Sequence, residues 1–342
     1  MKVVTFGEIM LRLSPPDHRR FVQAQRFDAT YGGGEANVAA SLANYGADSY
    51  FISKLPDHEI GQACLNQLRR YGIGTDFIAR GGDRLGVYFL EIGASQRGSK
   101  VVYDRSGSAV NTLTPDEVNF DAALADADWF HWTGITPALG QTPRETLRAA
   151  LDAAKEHGVT VSCDLNYRGK LWSVEEAREA MRPLMKQVDV CIANEEDADR
   201  CLGLAAGTTD VETGELDIEG YEDLARRLRD EFDFETVAIT LRESFSASVN
   251  GWSGLIHNGT DATEPYRSSR YEIDLVDRVG GGDSFCGGLI YGLMAKESAQ
   301  EAVEFAAAAS CLKQTIPGDF NLASREEVES LAEGSGSGRV ER

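Results

Sequence analysis

Short apolar runs rich in β-branched and aromatic residues alternate with helix-length segments along almost the whole chain, and this alternation narrows the fold more than any other feature. The runs at 2–6, 48–53, 128–132, 159–164, 188–193 and 236–241 are too continuously apolar to keep a solvated face. Helical periodicities fall at 35–46, 58–71, 143–157, 174–186, 194–202, 220–231, 284–295 and 298–314. Strands buried on both sides and joined by helices predict a mostly parallel sheet between two helical layers, an α/β fold. Ser298 followed by Glu301 has the spacing of a capping box for the last long helix, and Ala306–Ala309 predicts close helix packing.

Two regions interrupt the alternation. Residues 11–31 and about 76–112 carry strand patterns and glycines, with a hairpin predicted from Gly86–Ile92 and Lys100–Asp104 around Gly93–Gly98. They are expected to form a small β lid inserted into one domain spanning 1–332. The acidic stretch 204–219 reads as a surface loop, and 333–342 as a flexible tail.

Charge excludes some partners. Asp and Glu number 55 against 34 Lys and Arg, a net −21 that repels nucleic acid and anionic membrane. No apolar run is long enough to cross a bilayer, and Lys2–Phe6 reads as a strand, not a leader. The six cysteines are scattered without a CxxC pair, as expected of reduced core residues in a cytoplasmic protein.

Two glycine-rich turns carry the chemistry. In Asp277-Arg278-Val279-Gly280-Gly281-Gly282-Asp283, glycines lead into a helix and end on a carboxylate. Unshielded N–H groups and the positive end of the helix dipole suit an anion, and Asp283 can accept a proton from a hydroxyl beside it. That pairing points to phosphoryl transfer, although no GxxxxGK[ST] nucleotide loop is present. In Gly32-Gly33-Gly34-Glu35-Ala36-Asn37, glycines admit a small polar ligand close to the backbone. Asn37 offers a donor and an acceptor to that ligand, or caps local backbone.

Together Gly33-Gly34-x-x-Asn37-x-Ala39 and Asp277-x-x-Gly280-Gly281-Gly282-Asp283 resemble the two signatures of the ribokinase-like (PfkB) carbohydrate kinases, over residues 1 to about 332. The resemblance implies a three-layer α/β/α domain with a β lid, MgATP as phosphoryl donor, Asp283 as base, and Gly280, Gly281 and Gly282 as the anion hole. Asn194-Glu195-Glu196-Asp197 resembles the family's Asn-x-x-Glu element, which implies nucleotide contact through Asn194 and Mg²⁺ contact through water for Glu196 or Asp197. Asn194 is equally a helix N-cap. Thr240 and Arg242 match phosphate-facing positions, and 254–275 with the helix near Ala307–Thr315 would form the adenine pocket. The chain departs from the pattern at Arg278, where the family usually has Thr, Ser or Pro, and at Pro56, where its first signature usually ends in Gly.

Substrate class follows from Asp164-x-Asn166-x-Arg168-x-x-Leu171-Trp172, which resembles the 2-keto-3-deoxygluconate kinases of the family. Arg168 would bind the acid end of the sugar by paired charge-assisted hydrogen bonds, or else form a salt bridge with Asp164. Gly33, Gly34, Asn37, Tyr88, Tyr103, Arg105 and Asp319 match sugar-contacting positions, with a turn or cap role open for Asp319. The implied function is an ATP-dependent kinase of the 6-hydroxyl of 2-keto-3-deoxy-D-gluconate. A kinase of a neutral sugar such as fructose or ribose, and a non-catalytic sugar or nucleotide sensor, are the alternatives. An apolar lid face implies a homodimer or higher homo-oligomer.

Overall fold

The apolar runs pair side by side. The computed structural model describes residues 1–206, 217–259 and 265–335. Its main sheet runs Thr236–Ser244, Val190–Ala193, Thr160–Asp164, Trp129–Thr133, Lys2–Phe6, Asp48–Leu55, Ile78–Arg80, each parallel to its neighbour. Side chains alternate between faces. Val4, Phe6, Phe130, Trp132 and Cys163 pack under the helices Gln141–His157, Val174–Leu184 and Ile218–Phe232. Val3, Trp129, Ile192 and Ala238 pack under Gly34–Asn44, Gly281–Ala295 and Ala299–Lys313. The result is the expected three-layer α/β/α arrangement.

The sheet continues past the expected strands. Val249–Asn258 adds an antiparallel edge to Thr236–Ser244 and is itself paired by Tyr266–Arg267 and Tyr271–Asp274. Its glycines answer to packing: a Cβ on Gly254 would come within 2.5 Å of the Phe285 ring. A further helix, Arg325–Ala332, begins at a Ser324–Glu327 capping box. The Ser298–Glu301 capping box is present, and Ala302 and Ala306 lie where Cβ atoms on Gly292 and Gly288 would collide, so the two long helices pack backbone to backbone.

A second sheet of four strands, ordered Asp28–Gly32, Met10–Ser14, Gly86–Glu91, Lys100–Asp104, rises beside the first. The last two form the expected hairpin, with Tyr88 opposite Tyr103. Of the segment 76–112, Ile78–Arg80 departs from the lid expectation and pairs with the main sheet instead. Most of the acidic stretch 204–219 and of the tail 333–342 lies outside the described residues. No described helix is long and apolar enough to cross a membrane.

Candidate active site

A cavity of about 530 Å³ opens at the carboxyl ends of the parallel strands, where α/β sheets of this kind place ligands. One wall is the turn before the helix Gly281–Ala295. Gly280 has φ +81°, and a Cβ there would lie 2.1 Å from the Asp319 carbonyl oxygen, so only glycine fits. The Gly281 N–H is used on the Arg278 carbonyl (3.3 Å). Those of Gly282 and Asp283, in the first helical turn, have no backbone acceptor among the described residues. A Cβ built on Gly282 would meet nothing within 4 Å, so this wall is open to a ligand.

The two glycine-rich turns meet here. Asn37 Nδ2 donates to Asp283 Oδ2 at 2.6 Å, while Asn37 Oδ1 accepts from the Gly33 N–H at 3.3 Å. A Cβ on Gly34 would stand 3.6 Å from Asp283 Oδ1 and 3.8 Å from Asn166 Nδ2. Burial pushes the Asp283 carboxyl up to about 6, opposed by the Asn37 hydrogen bond and the Arg168 charge.

Six carboxyls line the cavity: Asp164, Asp197 and Asp283, with Glu195, Glu196 and Glu243. Asp164 ends its strand and is pushed up to about 8, first by burial and then by Asp197 and Asp283. Asn166, at φ 37°, bonds back to Asp164 through its N–H (3.2 Å). Asp197 is pushed up to about 6 by burial, with Arg168 opposing. Arg168 is exposed to the cavity and donates to the Tyr167 carbonyl (3.0 Å). It forms no salt bridge with Asp164 or any other described acid, although its charge reaches Asp164, Asp197 and Asp283. Asn194 caps the next helix: it accepts from the Asp197 N–H (2.8 Å) and donates to Asp197 Oδ2 (2.9 Å). Thr240, Arg242, Glu196 and Tyr103 also line the cavity.

Three expected sugar contacts stand behind this wall. Tyr88 is buried and donates from its hydroxyl to Asp319. Arg105 is buried against Glu8, with Nε 2.8 Å from Oε2. Asp319 accepts from Arg12 at 2.7 Å. Arg12, which the sequence did not single out, bridges Asp319 and Asp277 (2.5 Å). Lys313, fully buried, donates to the carbonyls of Asp277 (3.0 Å) and Ile316 (3.4 Å). Alternation within Met10–Ser14 placed Arg12 on one face of a strand, but its partners lie 265 and 307 residues away and left no local signal. Of the expected adenine pocket, Gln314 lines the cavity, and 260–264 lie outside the described residues.

This geometry has relatives. Residues 1–322 match the model of the pfkB family carbohydrate kinases. A 2-dehydro-3-deoxygalactonokinase of Haloferax volcanii is 37% identical over 337 residues, 98% of each chain. The crystal structure of a 2-dehydro-3-deoxygluconokinase from Thermotoga maritima superposes with a TM-score of 0.92 at 55% identity, covering 98% of each chain. A 5-dehydro-2-deoxygluconokinase of Bacillus subtilis is 26% identical over 337 residues, 97% of this chain and 95% of that one.

Proposed function

The chain belongs to the pfkB family of carbohydrate kinases, and from that premise we propose that it moves the γ-phosphoryl group of MgATP to the 6-hydroxyl of 2-keto-3-deoxy-D-gluconate. One observation carries the substrate class: the Arg168 guanidinium, unpaired with any described acid, faces the same cavity as Asp283 and the glycine turn. A carboxylate on the sugar is the group that such a fork recognises. The names of the relatives at 55% and 37% identity, a gluconokinase and a galactonokinase, support a 2-keto-3-deoxy sugar acid and divide on one stereocentre.

In this reading Gly34 and Asn37 seat the sugar beside Asp283. Asp283 takes the hydroxyl proton as the oxygen attacks phosphorus, and the Gly282 and Asp283 N–H groups face the charge on the transferring phosphoryl. Positioning and electrostatics supply most of such catalysis. Mg²⁺ would neutralise phosphate charge. Asp197 is held by Asn194 and no three His, Cys, Asp or Glu among the described residues are placed to hold a metal ion together, so the fit is to a metal held by phosphates and water beside Asp197 and Glu196. Tyr88 and Arg105 act through Asp319 and Glu8, shaping the sugar side of the site and not contacting the cavity. Residues 1–332 form one kinase unit with the four-stranded sheet as its lid. Exposed Val22, Phe27 and Val102 on and beside that sheet support a homodimer through it.

The test is ADP release with 2-keto-3-deoxygluconate, 2-keto-3-deoxygalactonate, fructose and ribose side by side. Turnover with either acid sugar and not with the neutral ones is expected. Preference for fructose or ribose would overturn the substrate class, and tight ATP binding with no turnover on any of them would favour a sensor.

A further inference from the structure

Besides Arg168, two further arginines at the cavity have no ion pair with a described acid. Arg242 lies exposed on Thr236–Ser244, and Arg278 lies half-buried two residues ahead of Gly280; both line the cavity. Neither guanidinium has a hydrogen bond or ion pair among the described residues. Yet acids are plentiful, 55 against 34 basic residues, and nearby arginines are taken up by them. Arg12 holds Asp277 and Asp319, and Glu243, next to Arg242 in the strand, is drawn to Arg270 at 2.5 Å. Burial and the Arg242 charge both push the Arg278 pKa down. Arg278 is partly desolvated and feels the Arg242 charge, and an anion held between the two would relieve both costs. The same cavity wall presents the free N–H groups of Gly282 and Asp283.

We propose that Arg278 is a further catalytic residue, forming with Arg242 a two-arginine clamp on the polyphosphate of the nucleotide. The proposal rests on the kinase reading above. In the transfer, the bond between the γ-phosphorus and the β,γ-bridging oxygen breaks as the bond to the sugar oxygen forms. The bridging oxygen keeps the electron pair and becomes part of ADP, and Asp283 takes the sugar proton. Arg278, at the entry to the glycine turn, neutralises the charge that builds on that oxygen, whereas Arg242 holds the nucleotide before and after transfer. A planar fork is matched to phosphate oxygens in a way an ammonium is not.

The experiment compares wild type, Arg278→Ala, Arg278→Lys and Arg242→Ala with 2-keto-3-deoxy-D-gluconate and MgATP, and measures MgATP and inorganic tripolyphosphate binding without sugar. Arg278→Ala is expected to lower kcat by about 100-fold or more, with the KM for sugar unchanged, and Arg278→Lys to recover part of it. Arg242→Ala is expected to raise the KM for ATP by about tenfold with kcat nearly kept. Both alanine variants should weaken tripolyphosphate binding and flatten its salt dependence. Wild-type kcat in a folded Arg278→Ala variant, or unchanged tripolyphosphate binding in both, would overturn the clamp while leaving the kinase reading standing. Wild type that binds nucleotide through these arginines but turns over no sugar would sink the kinase reading, and the catalytic role of Arg278 with it.

Discussion

Asn37 Nδ2 lies 2.6 Å from Asp283 Oδ2, joining the two glycine-rich turns across 246 residues of sequence. Because Asn37 also accepts from the Gly33 N–H, its amide is oriented with the NH2 toward the carboxylate. The bond favours the ionised form of Asp283 against a burial that raises it to about 6. A base must be deprotonated, so kcat/KM should fall as pH drops through about 6. Asn37→Ala removes the donor, so the acidic limb should move to higher pH and activity lost at neutral pH should partly return in alkali. Superimposable pH profiles would refute the coupling.

Asp283→Asn removes the base but keeps the size of the side chain. Turnover should fall by about 1,000-fold, within the usual range for loss of a general base. Sugar binding, read by calorimetry, should stay within about threefold of wild type, because Arg168 and Gly34 are untouched. Normal turnover in this variant would end the proposed mechanism.

Arg168→Ala separates acid from neutral sugars. Loss of a charge-assisted hydrogen-bond pair is expected to raise the KM for a 2-keto-3-deoxy sugar acid by roughly 10- to 100-fold, with a smaller change in kcat. An equal loss on acid and neutral sugars would assign Arg168 to the phosphates instead.

The parallel core was legible because its strands are buried on both faces and therefore read as unbroken apolar runs, as at Trp129–Thr133. The antiparallel edge Val249–Asn258 was not, since Gly251 and Gly254 weaken the strand pattern for reasons that appear only when Glu243 and Phe285 are in place beside them. In the site, backbone-determined features came through: glycines and a carboxylate at a helix start can be recognised from neighbours in sequence. The buried network did not. Asp277 and Asp319 were named from the motifs, but Arg12 and Lys313 find them only in three dimensions, and each alone looks like an ordinary polar residue. The same distance hid that Tyr88 and Arg105 spend their polar groups on Asp319 and Glu8.

Arg12→Leu tests that network. It would leave Asp277 and Asp319 buried under the glycine turn with the Lys313 charge acting on both but ion-paired to neither. Breaking one side of a buried ion pair costs about 3–5 kcal/mol, so the melting temperature should drop by many degrees, far more than for an exposed pair such as Arg325 with Glu326. A change of less than about 1 kcal/mol by denaturant titration would mean that the cluster is not held by this charge.

Glu35 provides a stability prediction with a defined sign. Its Oε1 accepts from Thr133 Oγ1 (2.8 Å) and Thr136 Oγ1 (2.7 Å), whereas Oε2 is buried against Gly7 with no hydrogen-bond partner among the described residues. Burial raises its pKa to about 7 from an ordinary 4.5, despite those hydrogen bonds. The folded state therefore prefers the protonated form, and the stabilisation is complete below about pH 4.5 and lost as pH rises through about 7. Glu35→Gln cannot ionise and keeps an acceptor for both threonines. Its stability relative to wild type should improve steadily from about pH 4.5 to about pH 7 and level off above that, by on the order of 3 kcal/mol at the limit. Asp164, raised to about 8, titrates in both proteins and largely cancels from the difference. Thermal melts of the pair at pH 5 to 9 measure it; a difference that stays flat with pH would show that Glu35 is ionised in the folded protein throughout.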